Sequence, residues 1–178
     1  MGNKKNIMKK IRSALISVSD KSNLEALLKE LKKHQIKLIS SGGTFKKISK
    51  LNYKCLDVSN FTGFKTILNG RVKTLHPKIY AGILNKRDNK NHLKELKNNK
   101  FENIDLVIVN FYPFEKTLTK TKNHEKIIEN IDVGGPTMVR AAAKNYNDVT
   151  VITSSDQYSD LIAELKLNKG STLSLIHI

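Results

Sequence analysis

The sequence is poor in several residue types, and each shortage excludes a class of protein. It has one cysteine, three prolines and no tryptophan in 178 residues. A single cysteine, Cys55, forms no disulfide within the chain and supplies too few thiolates for a cysteine-rich metal site. We interpret Cys55 as an ordinary core or surface thiol. This usage is typical of a reducing compartment, and we expect a cytoplasmic location.

Long apolar runs are also missing. No run reaches the ~18 to 20 residues that a membrane-spanning helix needs, and the basic start of the chain lacks the apolar stretch of a signal peptide. We expect no membrane partner. Residues 1–11 are predicted to be a short, basic, disordered tail, 12–168 one domain with a sizeable core, and 169–178 an atypical C-terminal tail.

Acidic residues are outnumbered, since 32 lysines and arginines face 16 acids for a net charge of +16. Such a charge is typical of nucleic-acid binding. Only four of the basic residues are arginines, which bind bases and phosphates bidentately, and no basic stripe alternates with exposed aromatics. We therefore expect no specific nucleic-acid partner. A lysine-rich nucleic-acid binder stays open as an alternative, and it predicts binding that survives physiological salt.

What is present is an alternation of apolar runs and amphipathic segments. Strands are predicted over 13–19, 37–40, 54–58, 104–110 and 149–153. Helices are predicted near 20–31 and over 44–51, 91–98, 125–130, 136–144 and 156–167. The middle of the chain, residues 59–84, is predicted to be irregular with short helical pieces. This order predicts an α/β fold, a doubly wound, mainly parallel sheet with helices on both faces.

In such folds ligands bind beyond the carboxyl ends of the strands. The polar, glycine-rich and aromatic segments of this chain follow predicted strands: Ser17-Val18-Ser19-Asp20-Lys21, Ser41-Gly42-Gly43-Thr44 and Asn110-Phe111-Tyr112-Pro113-Phe114. We expect these segments to meet at one edge of the sheet.

The Ser41-Gly42-Gly43-Thr44 turn opens a helix with two glycines that let the backbone approach a ligand. Hydroxyls, free N–H groups and the helix dipole would favour an anion there, and a phosphate is the natural candidate. Lys21 could add charge to the same phosphate. The alternatives are an ordinary helix cap and a surface lysine.

The run Arg71-Val72-Lys73-Thr74-Leu75-His76-Pro77 places two cations two residues apart. In an extended segment both side chains point the same way and can converge on one anion. Gly70 before the run and Pro77 after it predict a loop, with the proline stopping any helix. The alternative is a solvated basic stretch. His76 is the one histidine that we place near the chemistry, because the others lack metal-ligand spacing.

The segment Asp132-Val133-Gly134-Gly135-Pro136-Thr137 again joins paired glycines to a helix start, with proline in the first turn. Arg140 and Lys144 share a face of that helix. The structural alternative is that Asp132 caps the helix and Lys144 interacts with its C-terminal dipole. Tyr112 could protrude into the strand-end cleft, or simply pack.

Taken together, these segments resemble the IMP cyclohydrolase domain family of bifunctional purine biosynthesis proteins. Three further segments carry the same resemblance: Asp57-Val58-Ser59, Phe61-Thr62-Gly63-Phe64 and Arg140-Ala141-Ala142-Ala143-Lys144-Asn145. The resemblance runs from about residue 13 to 165, and the run from Arg71 to Pro77 is its most specific part. It implies a methylglyoxal synthase-like fold. It also implies closure of formamidoimidazole carboxamide ribotide to inosine monophosphate (IMP) with loss of water.

The reaction implied needs no metal and no cofactor, because nucleophile and electrophile lie in one substrate. The resemblance implies catalysis by Lys73, Tyr112, Asp132 and Lys144. It implies substrate binding by Ser17, Ser19, Lys21, Ser41, Gly43, Thr44, Arg71, Thr74, Asn110, Val133, Gly134 and Gly135.

Family members continue into a transformylase domain that this sequence does not contain, so folate-dependent formyl transfer is not assigned to it. We expect a purine ribonucleotide precursor and IMP as ligands, and a homodimer or a transformylase domain as possible partners. Two alternatives stay open: a methylglyoxal synthase-like lyase acting on a smaller phosphate ester, and a non-catalytic nucleotide-binding domain.

Overall fold

A computed structural model describes residues 8–112 and 114–173. The strands of this part of the chain are β1 (Met8–Lys10), β2 (Ser13–Val18), β3 (Lys37–Ser40), β4 (Leu56–Asp57), β5 (Leu106–Asn110), β6 (Thr150–Ile152) and β7 (Ser171–Leu173). The α-helices are α1 (Leu24–Lys33), α2 (Gly42–Lys50), α3 (Val58–Thr62), α4 (Pro77–Leu84), α5 (Lys90–Asn98), α6 (Phe114–Lys120), α7 (His124–Glu129), α8 (Gly134–Lys144) and α9 (Tyr158–Leu167).

Five strands form one sheet in the order β4-β3-β2-β5-β6, and every pair in it is parallel. The central strands β2 and β5 are apolar and almost wholly buried, because both faces of the sheet are covered. The doubly wound α/β fold predicted from the alternation is confirmed.

The core consists of two clusters, one on each face of the sheet. Leu27, Leu28 and Leu31 of α1 pack with Leu161 and Leu165 of α9 on one face. The other face is covered by α4 and α8, whose buried side chains are Ile79, Ile83, Met138, Ala141 and Ala142. Alanines let α8 lie close to β5 and β6, so the start of α8 is held at the carboxyl edge of the sheet.

Both predicted tails contain ordered strands, so the prediction of disorder is wrong for Met8–Lys10. β1 pairs antiparallel with β7, and Ile11 follows β1 into the core at 1% exposure. Thr172 of β7 is fully buried, with its Oγ1 2.6 Å from Thr150 Oγ1. The strands are too short and polar to show in the sequence. Residues 1–7 and 174–178, the rest of the two predicted tails, lie outside the described residues.

Pro77 begins a helix instead of stopping one. It occupies the first turn of α4, where the missing N–H would have had no partner, and His76 precedes it as the N-cap residue. The His76 Nδ1 accepts a hydrogen bond from the Lys78 N–H at 3.1 Å. The short helical pieces predicted for the middle of the chain are observed as α3 and α4, and His76 has a structural role at the start of α4.

Candidate active site

The strand-end segments meet at one edge of the sheet, as predicted. Val18 and Asn110 are register partners at the ends of β2 and β5, and Ser40 and Asp57 end β3 and β4 together. Because all four strands run parallel, the residues that follow them emerge on the same side. This edge carries the candidate site.

Asn110 connects the ends of two strands. Its Oδ1 accepts hydrogen bonds from the N–H groups of Ser19 and Asp20 at 2.6 and 2.9 Å, and its Nδ2 donates to Asp20 O at 2.9 Å. These bonds fix the turn that leads into Lys21. In this structure, therefore, the Asn110 side chain positions the loop between β2 and α1.

The hydroxyl of Thr44 is not available to donate to a phosphate, contrary to the sequence interpretation. Thr44 is 4% exposed. Its Oγ1 donates to Val18 O and accepts from Val18 N, each at 3.0 Å. A hydroxyl has one proton, so the donor is already used. The side chain instead ties the first turn of α2 to the end of β2.

The start of α2 is open toward ligands. Ser41 is the N-cap residue but makes no side-chain cap hydrogen bond, so the first N–H groups of α2 lack a capping partner. Gly42 has a φ of +56°, a conformation that favours glycine. The backbone of Gly42, Gly43 and Thr44 therefore offers N–H donors with the positive end of the helix dipole behind them.

Two lysine ammonium groups flank this helix start. A β-carbon built on Gly42 would lie 3.6 Å from Lys73 Nζ. Lys21 Nζ donates to Val18 O at 3.3 Å and to Ser19 O at 3.1 Å, and the first of these oxygens also accepts from Thr44. The start of α2 is therefore electropositive, because two lysine ammonium groups and the uncapped N–H groups lie around it.

A cleft of about 540 Å³ lies beside this point. Nine of the residues predicted to form the site line it: Ser17, Arg71, Lys73, Thr74, Tyr112, Asp132, Val133, Gly134 and Gly135. The cleft volume is within the usual range for small-molecule sites. Lys73 belongs both to the lining and to the α2 start, so it joins the cleft to the electropositive turn.

Asp132 and Thr74 meet the first turn of α8. Asp132 Oδ1 accepts a hydrogen bond from the Gly135 N–H at 2.9 Å, so the predicted capping role is observed. Side chains at the two glycines would collide with these residues: a β-carbon on Gly134 would lie 2.6 Å from Thr74 Oγ1, and one on Gly135 2.3 Å from Asp132 Oδ2. A side chain at either glycine would therefore displace Thr74 or Asp132 from its observed position.

Arg71 forms an ion pair with Glu129, and both residues line the cleft. Its Nε donates to Glu129 Oε1 at 2.6 Å, and its Nη2 contacts the same oxygen. The hydrogen bond to Glu129, followed by the charge of Glu129, raises the pKa of Arg71. The two predicted cations diverge: Arg71 contacts Glu129, whereas Lys73 extends toward α2.

Seven predicted residues do not line the cleft: Ser19, Lys21, Ser41, Gly43, Thr44, Asn110 and Lys144. The first six belong to the adjoining turns at the same edge of the sheet. Lys144 is different, because it is exposed at the far end of α8. A rise of 1.5 Å per residue places it about 15 Å along the axis from Gly134. The structure thus does not bring Lys144 to Asp132, and its catalytic role stays a prediction.

Sequence reasoning missed the outer lining of the cleft. Asn69, Ile128, Glu129 and Ile131 also line it. The Asn69-Gly70 pair is a turn signal, and both residues have positive φ values. Nothing in the sequence links Glu129 to Arg71, because they are 58 positions apart.

Two other features bear on the chemistry available. Burial raises the pKa of the half-buried Cys55 thiol to about 12, so the thiol is protonated at neutral pH. No helix among the described residues has the length and apolar character needed to cross a membrane.

The chain is similar to curated proteins of purine biosynthesis. The chain is 48% identical over 164 residues to the bifunctional purine biosynthesis protein PurH of Bradyrhizobium diazoefficiens, covering 92% of this chain and 31% of that protein. It is 53% identical over 161 residues to PurH of Prochlorococcus marinus, covering 89% and 31%. The chain thus spans about a third of the length of these relatives.

The chain is also similar to a solved structure. The crystal structure of ForH superposes with a TM-score of 0.78 at 31% identity, covering 90% of this chain and 82% of that one. The family described as the MGS-like domain matches residues 23–137, which include the α2 start, the run from Arg71 to Pro77 and Asp132. The chain belongs to the MGS-like domain family.

Proposed function

We propose that this chain is an IMP cyclohydrolase domain acting in purine biosynthesis. The reaction closes formamidoimidazole carboxamide ribotide to IMP. The carboxamide nitrogen forms a bond to the formyl carbon, and the formyl oxygen leaves as water. The two protons of that water come from the carboxamide nitrogen and the formamido nitrogen. The relatives named PurH, at about 50% identity, support this reaction class.

The observation that carries the proposal is the position of Lys73. Its side chain lines the cleft, and its ammonium lies against Gly42 at the uncapped start of α2. A ribotide phosphate on the α2 amides, between Lys21 and Lys73, would direct the base into the cleft. One lysine would thereby contact both ends of the substrate.

The cleft supplies groups suited to the two proton transfers. Asp132 binds the Gly135 N–H through Oδ1, and we assign Oδ2 as acceptor of the carboxamide proton. Lys73 or Tyr112 would stabilise the oxyanion on the formyl oxygen and donate a proton to the departing water. Tyr112 is 55% exposed at the cleft, so its phenol is accessible. Lys144 has no contact role in this scheme.

The substrate must already carry a formyl group, so a formyl transferase must act before this reaction. The matched region is about a third of each PurH relative, and we propose that a transformylase domain works alongside this one. This part of the proposal concerns only the association of the two domains. It assigns no folate chemistry to the described residues.

The test is cyclisation of the formylated ribotide by the purified chain, followed by absorbance as IMP forms. We expect turnover that saturates with substrate and is inhibited by IMP. Dihydroxyacetone phosphate is the control substrate, because a methylglyoxal synthase-like lyase would consume it. IMP binding without cyclisation would replace the proposal with a non-catalytic nucleotide-binding domain.

A further inference from the structure

The turn that carries Arg71 is held by its own backbone. Ile67 N donates to Val72 O at 3.1 Å and Val72 N to Ile67 O at 3.4 Å. Between them Leu68, Asn69 and Gly70 have positive φ values of 51°, 52° and 97°. Left-handed conformations at Leu68 and Asn69 are uncommon for non-glycine residues. The turn therefore has a defined shape that directs Arg71 toward α7.

The Arg71 side chain is held in place by Glu129. Arg71 Nε and Nη2 both contact Glu129 Oε1, and Oε2 lies 3.4 Å from Nε. The two side chains are 66% and 51% exposed, and an exposed ion pair contributes little to folding stability. Helix α7 itself has no buried residue. The pair is thus poorly explained by stability, and both residues line the candidate cleft.

Among the described residues, Glu129 alone bonds the Arg71 guanidinium, so one edge of it has no partner within residues 8–112 and 114–173. Arginine has five N–H donors in a planar fork. Glu129 engages the edge formed by Nε and Nη2, which leaves one proton of Nη1 and one of Nη2 on the next edge. That edge suits a carbonyl oxygen of a heterocyclic carboxamide. A fixed side chain also loses less conformational entropy when the ligand binds.

The carboxylate also affects the direction in which a nucleotide binds. Arg71 alone would attract a phosphate at the same end of the cleft that the base should occupy. Glu129 neutralises that charge, whereas Lys21 and Lys73 stay electropositive at the α2 start. A phosphorylated ligand is therefore drawn to the start of α2 and is not attracted by the neutral ion pair near α7.

We propose that Glu129 is a positioning residue, which fixes Arg71 for the base of the substrate and, by neutralising its charge, keeps that end of the cleft from attracting the phosphate. The proposal rests on the proposed function. It assigns Glu129 no contact with the reacting atoms. Its effect therefore concerns substrate affinity and orientation, with the chemical step unchanged.

The experiment compares wild type with Glu129→Ala and Glu129→Gln in the cyclisation assay and in IMP titrations. For Glu129→Ala we expect KM and the IMP Kd to rise about tenfold, as for the loss of one preorganised charged contact, with kcat within about twofold. Glu129→Gln keeps one acceptor oxygen and should recover part of the affinity. Glu125→Ala is the matched control, because it removes an exposed carboxylate one turn earlier on α7.

A double variant separates positioning from a general structural effect. If Glu129 acts through Arg71, adding Glu129→Ala to Arg71→Ala should raise the IMP Kd no further. Independent, additive effects would overturn the proposal, as would a Glu129→Ala chain that binds IMP as tightly as wild type. A wild-type chain that neither cyclises the ribotide nor binds IMP would overturn the proposed function, and this proposal with it.

Discussion

The two sides of the candidate site are built differently. The sheet side, residues 17–21, 41–44 and Asn110, is fixed by buried backbone and by hydrogen bonds such as those of Thr44 with Val18. The outer side, residues 67–72 and 128–133, has exposed apolar side chains and a surface ion pair; Ile131 and Val133 are 52% and 58% exposed.

Because of this difference, substitutions on the two sides should affect folding stability and ligand affinity differently. A change on the sheet side disturbs the fold and the electropositive turn together, because the same bonds serve both. A change on the outer side removes few buried contacts, so it should alter ligand binding with little effect on unfolding. Lys73 lies where the two sides meet.

Removing Lys73 should therefore have the largest effect. We expect Lys73→Ala to lower kcat about 10² to 10³-fold, because it removes a group proposed to stabilise the oxyanion, and to weaken IMP binding much less. Steady-state kinetics and IMP titration measure the two effects. Lys50→Ala, an exposed lysine at the other end of α2, is the control. Unchanged turnover would remove Lys73 from the chemistry.

Away from the cleft, Gly82 tests how tightly α4 is packed against the segment that precedes β5. A β-carbon on Gly82 would lie 2.6 Å from the backbone oxygen of Glu102. We expect Gly82→Ala to lower the free energy of unfolding by about 1 to 3 kcal/mol, with KM unchanged. Urea denaturation measures the loss. Gly43→Ala, where the new carbon meets nothing within 4 Å, is the control for stability; equal stability of both variants would contradict the packing argument.

Asn110 should couple stability and affinity on the sheet side. Asn110→Ala leaves the N–H groups of Ser19 and Asp20 without their acceptor. We expect a loss of about 1 kcal/mol in the free energy of unfolding. We also expect a higher KM, because Lys21 follows this turn. Asn110→Asp keeps the acceptor for both N–H groups but places a charged oxygen against Asp20 O, where Nδ2 donated, so it should recover only part of the stability. Thermal unfolding and kinetics on both variants check this, and a stable Asn110→Ala chain with a raised KM would separate the two roles.

The smallest effect concerns acid sensitivity at Asp20. Hydrogen bonds from the Ser22 side chain and N–H, then from Ser155, lower the pKa of Asp20 from its ordinary value of 3.8. A lowered pKa in the folded state contributes stability above pH 3.8, and that contribution is lost as the pH falls through the folded-state pKa. Asp20→Asn should therefore make unfolding less dependent on pH below about 4. An unchanged acid profile would show that Asp20 does not contribute.

The sequence predicted which segments form the site more completely than it predicted the contacts of their side chains. The strand-end rule placed Ser17, Ser41 and Asn110 at one edge, and the topology confirmed it. The use of each side chain was harder to predict: the Thr44 hydroxyl is occupied by Val18, and Arg71 contacts Glu129 instead of converging with Lys73. Such contacts join residues far apart in sequence, and local patterns do not encode them.

Local sequence by itself determined the alternation of elements, the parallel sheet and the open glycine-rich helix start, because hydrophobic periodicity and backbone freedom are properties of short segments. Tertiary structure alone decided that β1 and β7 pair, that Glu129 holds Arg71 and that Lys144 lies at the far end of α8 from the cleft. These outcomes depend on helix length and on contacts between distant segments, which exist only once the sheet has assembled.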